Sequence, residues 1–66
     1  MNRKELRAEF ARKGKSNSEI IHALGISEQA FYNKMNGKSE FKESEIKSLI
    51  EVLGLSVDDV NRIFLT

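Results

Sequence analysis

Residues 16–37, SNSEIIHALGISEQAFYNKMNG, carry two complete sets of helix start and stop signals in immediate succession. Ser16 is an N-cap residue, and Glu19 three positions later completes a capping box, in which each residue satisfies a backbone N–H of the other. Ile20, Ile21 and Leu24 then recur at helical spacing. Gly25 follows at once, where a helix C-terminus calls for a left-handed residue and a side chain would oppose it. Ile26 is expected as a buried plug in the turn. Ser27 is placed to cap a second helix, 27–36, whose apolar residues are Phe31 and Met35 and which Gly37 closes. The rest of that helix is Glu28, Gln29, Tyr32, Asn33, Lys34 and Asn36. So short a helix with so much hydrogen-bonding capacity on its outer face is suited to touching another molecule.

The flanking sequence extends the same pattern. Asn2 with Glu5 offers a capping box for a helix over 3–13 with Leu6 and Phe10 on one side, ended at Gly14. Phe41, in the polar loop after Gly37, is expected to fold back onto the core. A fourth helix starts near Lys42, which is a poor cap. Its stripe of Ile46, Leu49, Ile50 and Leu53 follows i, i+3, i+4, i+7, the cleanest in the chain. After Gly54, Ser56 with Asp59 resembles a further capping box and opens a last helix with Val57, Val60 and Phe64 as its apolar residues. There is no proline and no alternating strand pattern. The expectation is an all-α fold of five helices. Ile63, Phe64 and Leu65 can finish that helix on the core or reach a second subunit.

Sixty-six residues make one small domain, 1–66, near the lower limit for a single unstapled core. The chain has no cysteine, and His22 is its one histidine, so neither a thiolate nor a histidine cluster exists to hold a metal. No glycine-rich phosphate loop and no nucleophile–base pair appear either. Catalysis is rejected, and no cofactor is expected. No apolar run approaches the roughly 20 residues that span a bilayer, and a soluble protein of the reducing cytoplasm is the expectation. The net charge is only +1, but it is unevenly spread. Residues 1–15 hold Arg3, Lys4, Arg7, Arg12, Lys13 and Lys15 against Glu5 and Glu9, whereas residues 48–66 hold Arg62 against Glu51, Asp58 and Asp59. One face is thereby suited to a polyanion and another turned away from it.

With Ile20, Leu24, Gly25-Ile26-Ser27, Phe31 and Asn36-Gly37 in this frame, the chain resembles the helix-turn-helix of the Cro/CI family, the lambda-repressor-like domains of phage and bacterial regulators. The segment LGISEQAFYNKMNGKSEF looks like small phage-encoded members from Gram-positive hosts. The resemblance implies a compact five-helix DNA-binding domain with the motif as its second and third helices. Two positions depart from the family pattern. Ile21 stands where a small residue is usual, and Lys34 where many members have an apolar one, with Met35 next to it able to take over the packing.

In that geometry the second helix of the motif enters the major groove. The resemblance carries base contact onto Glu28, Gln29 and Asn33, and contact with the DNA backbone onto Asn17 and Asn36. Tyr32 joins the base-contact group through its hydroxyl or ring. Ser27, Lys34, Lys38 and Ser39 join the backbone group by position. Gln and Asn pair bidentately with adenine, and glutamate accepts from cytosine, each good pair being worth about 1–3 kcal/mol of discrimination. The expected function is a Cro-like transcriptional repressor, working as a homodimer on a double-stranded operator. The alternative is a protein-interaction module of the same fold, such as an antirepressor that binds another regulatory protein.

Overall fold

Local capping decides where the helices of this chain begin and end. The computed structural model describes residues 1–65 and holds five α-helices: α1 Arg3–Arg12, α2 Asn17–Leu24, α3 Glu28–Met35, α4 Glu43–Leu53 and α5 Val57–Phe64. No strand occurs among the described residues. The all-α expectation is met, with boundaries within a residue of the capping signals; Thr66, the end of the expected domain, lies outside the described residues.

The reciprocal bonds expected of the capping boxes form at two helices. Ser16 Oγ accepts from Glu19 N and Glu19 Oε1 accepts from Ser16 N; Ser56 and Asp59 do the same at α5. At α1 only half of the expected box forms. Asn2 Oδ1 accepts from Glu5 N at 3.1 Å, but Asn2 N donates to Ile63 O at 2.6 Å, and the Glu5 carboxylate turns to Arg62 instead. A tertiary contact has displaced a local one, and it fastens the chain's beginning to α5. At α4, Lys42 has no side-chain cap, yet Glu45 Oε1 accepts from its backbone N–H at 2.8 Å.

The core is Leu6 and Phe10 of α1, Ile20 of α2, Phe31 and Met35 of α3, Phe41 of the loop, Leu49 and Leu53 of α4, and Ile63 of α5. α2 packs on both α3 and α4, and α1 packs on α5. Each large side chain removed from water contributes about 1.5–3 kcal/mol, so these contacts carry the fold. Phe41 folds back as expected, and Phe10 and Phe31 stack with centroids 6.3 Å apart. Ile26, expected to be buried, is half-buried against the core.

The register of α5 differs from the sequence reading. Ile63 is the fully buried residue, Val60 and Phe64 are half-buried, and Val57 is 77% exposed. Val57, Val60 and Phe64 share one face, but α5 is rotated so that Ile63, at the edge of that face, points into the core. Arg62, next to Ile63 and away from that face, reaches back to Glu5 and Glu9 of α1.

Candidate nucleic-acid interface

α3 divides cleanly into two faces. Phe31, Lys34 and Met35 are buried, while Glu28, Gln29 and Tyr32 are exposed and Asn33 is half-buried. The four base-contact candidates occupy positions i, i+1, i+4 and i+5 and therefore stand together on one side of the helix. Two of them are already linked, because Gln29 Nε2 donates to Asn33 Oδ1 at 3.1 Å. This bond restricts both rotamers. It leaves the Gln29 carbonyl and the Asn33 amide nitrogen turned to other partners, an acceptor beside a donor. Tyr32 is held from two sides, with its ring edge-on to Phe31 at 5.2 Å and its hydroxyl accepting from Asn17 Nδ2 at 3.4 Å. Asn17, at the start of α2, is thereby brought against the middle of α3. Ser27 Oγ accepts from Ala30 N at 3.1 Å, so its hydroxyl serves as the N-cap. Gly25, at φ +66°, makes the turn that sets α2 and α3 at their mutual angle.

Lys34 does not belong with the surface residues. Its side chain is 9% exposed, and its Nζ lies 2.5 Å from Glu45 Oε1 and 5.9 Å from the centre of the Phe41 ring. The expectation that Lys34 contacts a DNA phosphate is corrected accordingly: the ammonium is consumed inside the fold. The lysine fills the position where an apolar residue was expected, and its charge is met by a glutamate from α4. Burial works against the Glu45 carboxylate, but the Lys34 ammonium and the Lys42 N–H outweigh it and hold its pKa below the usual value. Met35, 3% exposed, takes the neighbouring core position.

The C-terminal end of α3 is built by a loop and by α1 together. Gly37, at φ +81°, lets Lys38 N donate to Asn33 O at 2.8 Å and Gly37 N to Lys34 O at 3.3 Å, the Schellman arrangement. Ser39 N also donates to Asn33 O, at 3.3 Å. Asn36, Lys38 and Ser39, all exposed, are thus drawn up beside the candidate face. From α1, Arg3 Nε donates to Lys34 O at 2.7 Å, and Arg7 Nη2 lies 3.4 Å from both Met35 O and Asn36 Oδ1. Cations at a helix C-terminus are favoured by its dipole and by its unpaired carbonyls. Sequence reasoning missed Arg3 and Arg7 in this role. Their i, i+4 spacing puts them on one face of α1, but nothing local says which helix end that face meets.

Three basic residues of 1–15 stand within ion-pair range of a carboxylate. Arg12 pairs with Glu9, Lys15 lies 3.9 Å from Glu19, and Arg3 lies 3.8 Å from Glu40. Between α1 and α5 an open groove is lined by Glu5, Glu9, Arg12, Lys13, Asp59 and Arg62, whose charges largely satisfy one another. Asp59 is held at about 2, first by the Ser56 backbone N–H and then by the Arg62 guanidinium. His22 is exposed, and no helix among the described residues is long and apolar enough to cross a membrane.

No curated protein and no solved structure matches this chain. A family model described as "Protein of unknown function (DUF739)" matches residues 4–66, nearly its whole length, and the chain therefore belongs to that family.

Proposed function

We propose that this protein is a sequence-specific DNA-binding transcriptional regulator of the Cro type, from a phage or prophage, that presents α3 to the major groove of an operator. The observation that carries this reading is the exposed side of α3. Gln29 and Asn33 stand one turn apart, bonded to each other, with Glu28 and Tyr32 alongside, above a buried Phe31 and Met35. An amide pair oriented in this way is suited to the paired donor and acceptor that a base edge offers in the major groove. Asn17, Ser27, Asn36, Lys38 and Ser39 surround that face and supply the contacts with the DNA backbone, which set register without reading sequence. The role is one of binding and occupancy in the cytoplasm, with no chemical step and no cofactor.

One copy offers a small interface, and useful affinity calls for two on a pseudo-palindrome with half-sites about one helical turn apart. Val57 at the start of α5 and Leu65 just after it, 77% and 73% exposed, offer apolar surface for a second copy. The same surface favours the second reading, a module that binds another regulatory protein.

Selection of duplexes from a random library, followed by titration of the winners, tests the proposal. An enriched inverted repeat is expected. The double substitution Gln29→Ala, Asn33→Ala is expected to abolish preference for that repeat while leaving the helical circular-dichroism spectrum and melting temperature close to wild type. No duplex binding at all, together with partner binding lost on substitution of Leu65, would establish the protein-interaction reading instead.

A further inference from the structure

The chain has four arginines: Arg12 pairs with Glu9 and Arg62 with Glu5, Glu9 and Asp59, while Arg3 Nη2 is buried without a hydrogen-bond partner, 3.8 Å from Glu40. Arg7 has no ion pair among the described residues. It is exposed, and it stands at the C-terminal end of α3. Its two hydrogen bonds, to Met35 O and Asn36 Oδ1, are both 3.4 Å long and both use Nη2, leaving Nε and Nη1 without partners among the described residues. The task of capping α3 is already done at closer range by Arg3, whose Nε lies 2.7 Å from Lys34 O. Arg7 is therefore a charged fork held in place by a light contact and largely unspent. Lys38, also exposed, follows Asn36 and Gly37 at the same helix end.

We infer that Arg7 is a phosphate-binding residue of the DNA interface, gripping a backbone phosphate beside the C-terminal end of α3 together with Asn36 and Lys38. The inference rests on the DNA-binding reading above and adds a contact from α1, outside the helix pair on which that reading was built. Guanidinium suits the role because its planar donors match phosphate oxygens two at a time. Asn36 Oδ1 steers the group by engaging Nη2. α3 is about 12 Å long at 1.5 Å per residue, close to the width of the major groove, about 12 Å. A phosphate contact at its far end, opposite Ser27, completes the clamp on a helix lying in that groove.

The test is a salt series with wild type, R7Q and R7K, on the duplex enriched from the random library and on a scrambled duplex of the same length. Each phosphate contact adds about 0.9 to the steepness of log affinity against log salt. R7Q keeps a donor for Asn36 and loses the charge. It is expected to flatten the slope by about one unit and to weaken binding about tenfold at about 50 mM salt, equally on both duplexes. R7K is expected to restore the slope. Thermal melting of R7Q should match wild type, since Arg3 still caps α3. If wild type binds and R7Q leaves the slope unchanged, or weakens only the enriched duplex, Arg7 is no phosphate ligand although the DNA reading stands. If wild type binds neither duplex, both readings fall together.

Discussion

Two groups of charged side chains tie the helices to one another, and they differ in how far they stand from water. Lys34 of α3 and Glu45 of α4 are 9% and 8% exposed and form one direct ion pair, which Lys42 also supports through its charge. In the other group, Arg62 of α5 bridges Glu5 and Glu9 of α1 and Asp59 of its own helix, and Arg12 also pairs with Glu9. There Arg62 is 34% exposed and Glu5 32%, with Glu9 alone deeply buried at 4%. The comparison separates two uses of charge. A lone buried pair contributes little net stability over an apolar pair, but it is expensive to break, because the survivor is stranded out of water. A half-exposed network is redundant and partly hydrated, so losing one member strands nothing completely. The first joins α3 to α4 on the buried side of α3. The second joins α5 to α1 at their partly exposed edge.

The largest expected effect comes from breaking the lone pair. Glu45→Ala leaves the Lys34 ammonium without a counter-charge and uncaps Lys42 N, and it is expected to cost about 3–5 kcal/mol in urea unfolding. For a domain of this size that approaches the whole stability, on the order of 3–10 kcal/mol. A loss below about 1 kcal/mol would mean that the pair behaves as a surface pair and would collapse the contrast.

Arg62→Ala comes next. It removes the bonds to Glu5, Glu9 and Asp59 at once, yet Arg12 remains beside Glu9, so the fall in melting temperature is expected to be less than half of that caused by Glu45→Ala. A larger fall would make the network, not the pair, the main fastening.

A pH series sharpens the contrast further. Asp59 and Glu45 both have folded pKa values below their ordinary ones, Asp59 at about 2 against 3.8. Their contributions are therefore complete above the unfolded values and are lost as pH falls through the folded ones. The melting temperature should stay level down to about pH 5 and drop between about pH 4 and about pH 2. Asp59→Asn, which preserves the cap on Ser56 N, should make that drop shallower by the share belonging to Asp59. An unchanged acid profile would remove Asp59 from the account.

The smallest effect belongs to the double substitution Lys34→Met, Glu45→Leu, expected to lie within about 1 kcal/mol of wild type, as the gain from removing two buried charges offsets the lost N-cap bond. Stability as low as that of Glu45→Ala alone would show that the pair is required for packing and not merely tolerated.

Much of this molecule was legible before its structure. Ser16, Ser27 and Ser56 mark helix starts through bonds that span three residues, and the glycines mark the ends through backbone angles. Leu6, Phe10, Ile20, Phe31, Leu49 and Leu53 follow from periodicity alone. The exposed side of α3 followed as well, because its buried side is marked by Phe31 and Met35. What could not be read were the long-range partners. Glu5 looked like half of a capping box and instead serves Arg62. Lys34 looked like a phosphate ligand and instead serves Glu45. Arg3 and Arg7 looked like a solvated basic run and instead meet the end of α3. In each case the local rule gave two acceptable uses for one polar side chain, and a partner from a distant part of the chain chose between them.

The sequence by itself determined which segments are helical, where they stop and which side chains form most of the core, since capping bonds and apolar periodicity act over three or four residues and need no knowledge of the rest. The tertiary structure alone decided how the helices are turned against one another, and with that which charges remain outside. α5 shows Val57 to water and Ile63 to the core, with Arg62 reaching α1, and Lys34 of α3 is turned inward to Glu45 and away from the surface. A charge finds its partner through space, and only the packed helices bring that partner within reach.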